Sequence, residues 1–106
     1  MSWIYLLIAG MFEIGWPLGL KLSQTTPHKI MWIVFAILAM IASGWFLWLA
    51  QKGIPMGTAY AVWTGIGAVG AFVLGVVMFK DPASVIRIVS VSFIIIGIIG
   101  LKLSHS

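Results

Sequence analysis

The chain has 106 residues, of which 62% are hydrophobic and only 8% charged, with a mean hydropathy of +1.18; soluble domains carry about 25% charged residues. Four bilayer spans of about 20 residues would use roughly 80 of them, so these residues have no room for a soluble domain or a nucleotide-driven motor, and pumping would have to draw on an ion gradient. The net charge of +4 is too sparsely exposed for a nucleic-acid surface and reads as basic loops beside a membrane, while the absence of Cys excludes disulfides, thiolate catalysis and cysteine metal sites.

Met1-Ser2-Trp3 leads straight into apolar sequence with no basic leader or small-residue cleavage site, so no removable signal peptide is expected. Span one is predicted over residues 3–20 and is apolar except for Glu13. A charge at that depth costs about 3 kcal/mol on insertion scales, which makes an intramembrane acid a candidate functional group by default. The other acid of the chain, Asp81, lies between Lys80 and Pro82 in a loop. Gly10, Glu13, Trp16 and Pro17 share one helical stripe. An aromatic ring therefore lies one turn from the carboxylate, and Gly10 leaves space on the other side. Pro17 has no N–H, so the Glu13 carbonyl loses its helical donor; this either opens the backbone at the key residue or is an ordinary membrane-helix proline.

The polar run Ser23 to Lys29 is predicted as the first loop, and span two covers residues 30–50. Trp32 near its start suits an interfacial belt, whereas Trp45 and Trp48 share a deeper face. Ser43 is the one hydroxyl deep in this span; it can bond back to its own helix or reach Glu13 on a neighbour. Residues 51–56 form a tight Gly/Pro loop.

Span three is predicted over residues 57–79. Gly65, Gly67 and Gly70 match G-x-G-x-x-G literally, but no strand precedes them and no helix begins after them, so a dinucleotide site is rejected. The spacing Gly67, Ala71, Gly75 instead permits close helix approach, and the clustered glycines allow either a hinge or plain packing. Tyr60 and Trp63 share a face and can serve as packing residues or as aromatic walls for a desolvated cation. Span four, residues 84–103, holds no acid; Gly97 and Gly100 mark it as a packing helix. His28 and His105 fall in a loop and the tail, with no metal-ligand spacing. No nucleophile–base pair is visible either, so an enzyme is not expected.

Loops one and three lie on one side and carry Lys21, Lys29, Lys80 and Arg87, against Lys52 and Lys102 on the other. Under the positive-inside rule this is a weak bias, compatible with insertion in either orientation.

Together these features resemble the small multidrug resistance family over essentially the whole chain. The resemblance rests on Glu13 followed by Trp16, the stretch Gly57 to Ala68, and the glycines of span four. Within the family, the run Thr64 to Ala71 and the ending Gly97-Ile98-Ile99-Gly100-Leu101-Lys102 are most similar to the guanidinium exporter branch. The resemblance implies an all-α integral membrane protein of the bacterial inner membrane: an antiparallel, dual-topology homodimer acting as a proton-coupled antiporter of small organic cations, without cofactor. It further implies that Glu13 binds protons and substrate, that Trp16, Ser43, Tyr60 and Trp63 surround it, and that span four forms the main dimer contact. Pro17, Gly44, Trp45 and Trp48 depart from a typical guanidinium exporter and keep quaternary ammonium compounds open as substrates. A non-transporting membrane interaction subunit is the remaining alternative.

Overall fold

The computed structural model describes residues 1–104, so His105 lies outside the described residues. Four helices follow one another: α1 Ser2–Thr25, α2 Lys29–Ala50, α3 Met56–Phe79 and α4 Val85–Ser104. Each is long and apolar enough to cross a membrane, and no strand occurs among the described residues.

α1 runs five residues beyond its predicted end at Leu20. Ser23, Thr25 and Thr26 fold their hydroxyls back onto the carbonyls of Leu20, Lys21 and Leu22 at 2.6, 3.2 and 2.8 Å. The polar residues that looked like a loop therefore satisfy the otherwise open carbonyls of a last helical turn. The helix stops at Thr26, whose extended backbone, φ −124° and ψ 163°, is what a residue before proline prefers. Pro17 sits inside α1 without ending it.

The α2–α3 turn is closed by backbone bonds from Gln51, Lys52, Gly53 and Ile54 back to Leu47, Leu49 and Ala50. It drops Ile54 into a small core with Leu6, Ala50, Ala59 and Val62, all 2% exposed or less. At the far end of α3, Lys80 adopts a left-handed conformation, φ 57°. The following Asp81 N–H then reaches the Gly75 carbonyl at 3.0 Å, ending the helix.

α1 is the central element: it packs on α2 and α3, while α4 packs on α3. The α1–α2 contact is close because small residues face one another. Gly15 lies against Ala39, and a Cβ at Gly19 would stand 3.0 Å from the Trp32 carbonyl and 3.1 Å from the Ala36 methyl. The four-residue spacing of Gly15 and Gly19 on α1 thus permits the same close approach that the sequence suggests for the small-residue stripe on α3. On α3, Gly65 takes the Ile94 and Ile98 side chains of α4, and Gly70 takes Ile14 of α1; α3 runs through both without a break. Gly65 and Gly70 thus each have a packing partner.

The protomer is a slab measuring 47 × 34 × 16 Å. No α4 residue is buried, and Gly97 and Gly100 have open space around them.

Candidate functional site

Glu13 lies midway along α1, half-buried at the α1–α3 contact. The Trp16 indole N–H, one turn on, donates to Glu13 Oε1 at 2.7 Å. Across from it, Gly67 provides the space that the carboxylate stem occupies: a Cβ there would stand 2.6 Å from Glu13 Cγ. Among the described residues no other donor and no Lys or Arg engages the carboxylate. An acid held in place by a single neutral donor keeps acceptor capacity for a proton or an incoming cation.

Ser43 belongs to a second group. Its side chain is 1% exposed, and it bonds neither to its own helix nor to the Glu13 carboxylate, correcting both readings of the sequence. Its hydroxyl donates to the Ala9 carbonyl of α1 at 2.7 Å and accepts the Trp63 indole N–H of α3 at 2.7 Å. In α-helical register the Ala9 carbonyl is also the acceptor for the Glu13 amide. The Trp63–Ser43–Ala9 chain therefore ties three helices together at the backbone turn that carries Glu13.

Tyr60 extends the aromatic wall. Its ring centroid lies 5.5 Å from that of Trp63, tilted by 47°, and the residue is 56% exposed. Thr64, one turn on, bonds back to the Tyr60 carbonyl. Gly10, expected to leave space beside Glu13, is instead covered by Ile66, whose Cγ2 would be 2.7 Å from a Cβ there. The structure thus assembles Glu13 with Trp16, and Ser43 with Trp63 and Tyr60, while Gly10 serves α1–α3 packing.

Between α1 and α2 lies an apolar groove of 550 Å³, walled in part by Met11, Phe12, Gly15, Phe35, Ala39 and Ala42. Phe12 also stacks on Phe46, centroids 6.0 Å apart. Neither the chemistry of Phe35 as a wall nor that of Phe12 carried a sequence signal beyond hydrophobicity. Trp45 and Trp48 do not line this groove. They form an exposed pair with centroids 5.2 Å apart, and Lys52 Nζ lies 4.6 Å above the Trp48 ring. A Cβ at Gly44 would meet no other helix or side chain within 4 Å. His28 precedes α2 on the surface, and no cluster suited to a metal occurs among the described residues.

A family profile described as Small Multidrug Resistance protein matches residues 1–94. The chain belongs to the small multidrug resistance family. With its four spanning helices, this member of the family is a multi-pass membrane protein. It is 50% identical over 108 aligned residues to the guanidinium exporter of Escherichia coli (strain K12), covering 98% of each chain. It is 47% identical to the guanidinium exporter of Proteus vulgaris, over 98% of this chain and 99% of that protein. The guanidinium exporter of Salmonella typhimurium (strain LT2) is 49% identical, over 98% of both.

Proposed function

We propose that the chain is a proton-coupled antiporter of the bacterial inner membrane that exports guanidinium-type cations as an antiparallel homodimer. The observation that carries this reading is the Glu13 carboxylate, placed mid-span, oriented by Trp16 at 2.7 Å and free of any basic partner among the described residues. The similarity to proteins named guanidinium exporters supports the choice of cation. A planar guanidinium presents a fork of N–H donors that matches a carboxylate bidentately, and the Tyr60 and Trp63 faces add cation–π attraction where water is excluded.

In the proposed dimer, two Glu13 carboxylates face a shared cavity. Protons and substrate compete for the same oxygens, and exchange follows if the unloaded site does not cross. An antiparallel pair makes the inward-open and outward-open forms equivalent, so one rearrangement exchanges the roles of the subunits. The unburied α4, with open space at Gly97 and Gly100, supports its assignment as the dimer contact.

The test is reconstitution of Glu13→Gln into liposomes under a proton gradient. Guanidinium uptake coupled to that gradient is expected to vanish; its persistence sinks the mechanism. A second reading, export of quaternary ammonium compounds, is favoured by the 550 Å³ apolar groove, whose size and walls suit alkyl substituents. Parallel transport assays with guanidinium and a tetra-alkylammonium separate the two.

A further inference from the structure

A second cavity, of 210 Å³, opens between α1 and α3 at the end where the first and third loops lie. Leu18, Leu74 and Pro17 form apolar walls, while Lys21, Phe79 and Asp81 stand toward the helix ends. Lys21 Nζ lies 5.9 Å from the Phe79 ring centroid, and the Asp81 carboxylate folds back over Gly75, where the missing Cβ leaves it room. The two opposite charges line one cavity but form no ion pair with each other. From Ile14, on the cavity's inner side, to Lys21 is about 10 Å along the helix axis. A mouth lined by Lys21 and Asp81 thus leads onto an apolar slot, the order in which a headgroup precedes its acyl chains.

We infer that this cavity binds the headgroup of a zwitterionic phospholipid with a primary ammonium, of the phosphatidylethanolamine class. The phosphate lies at Lys21, the ammonium donates to Asp81, and the first acyl carbons run along Leu18 and Leu74. The match is one of charge sign and order: a cation and a carboxylate line one cavity over an apolar floor and form no ion pair with each other. A trimethylammonium group has no N–H to donate to Asp81, and an anionic glycerol headgroup has no ammonium at all, so the site discriminates among headgroups. This site shares no residue with the Glu13–Trp16 pair and does not depend on the transport reading.

Native mass spectrometry of the delipidated protein tests it, with equimolar phosphatidylethanolamine, phosphatidylcholine and phosphatidylglycerol of identical chains. The wild type is expected to retain phosphatidylethanolamine about three- to fivefold over phosphatidylcholine, as one exposed ion pair allows. Asp81→Asn brings that ratio to about one, while Asp81→Glu keeps it; Lys21→Gln lowers retention of all three lipids together. Equal retention of the two zwitterionic lipids by the wild type overturns the proposal without recourse to any variant. So does a preference that survives Asp81→Asn, or soluble glycerophosphoethanolamine binding as well as the lipid.

Discussion

The Trp63 indole N–H donates to Ser43 Oγ at 2.7 Å, and Ser43 passes the chain on to the Ala9 carbonyl. Trp63 therefore holds the backbone behind Glu13 rather than the carboxylate itself. Ser43→Ala removes the acceptor of one buried bond and the donor of another, and is expected to destabilise the protomer by about 1 kcal/mol. Because Ser43 and Trp63 share a bond, Ser43→Ala combined with Trp63→Phe should cost less than the sum of the two, by about 0.5–1 kcal/mol. Reversible denaturation in bicelles measures both, and strict additivity contradicts the shared bond.

Trp16 is the one donor to the Glu13 carboxylate among the described residues. Trp16→Phe keeps the ring and deletes the N–H, releasing the carboxylate from its fixed rotamer. Guanidinium affinity, read by calorimetry in detergent, is expected to weaken about tenfold, in line with a hydrogen bond to a charged group. An unchanged affinity shows that this bond does not orient the acid for substrate.

Gly67→Ala places a methyl group 2.6 Å from Glu13 Cγ, so the acid side chain has to move. Transport is expected to fall about tenfold to a hundredfold, the usual penalty for misplacing a binding group by about 1 Å. Gly97→Ala, by contrast, meets nothing within the protomer. It should leave helicity intact and act on dimer strength alone, which cross-linking and circular dichroism distinguish.

Phe35 lines the wall of the groove between α1 and α2 and lies edge-on to Trp32 with centroids 5.4 Å apart. Phe35→Ala opens space for alkyl groups. The ratio of tetra-alkylammonium to guanidinium transport should rise about tenfold, the scale on which apolar pockets discriminate size. A constant ratio excludes the groove as a route for bulky substituents.

Dual topology is testable directly because the chain contains no Cys. A single Gln51→Cys substitution in the α2–α3 turn, at an exposed uncharged residue, is expected to label from each side of the membrane in about half of the copies, as a weak charge bias allows. Labelling from one side only removes the antiparallel dimer.

The residues themselves decided a good deal. Composition alone settles the membrane class, because so apolar a chain has no soluble solution, and the lone acid among span-one residues singles out Glu13. Helical spacing placed Trp16 one turn from that acid, since neighbours on one helix follow from periodicity. The extension of α1 to Thr25 escaped the reading because hydroxyl residues suit loops and helix ends alike; only the backbone path shows which carbonyls their hydroxyls meet. Which helices touch was also undetermined. Spacing within one span says nothing of the neighbour across from it, and four uniformly apolar helices offer no polar face to fix their arrangement. The tertiary structure therefore decided that Ser43 bonds to Ala9 and Trp63, that Ile66 fills the space over Gly10, and that Gly67 lies beside Glu13. It also placed Lys21 and Asp81, distant in the chain, at one cavity. Local periodicity determines what a single helix presents, whereas packing between helices determines what each presented group meets.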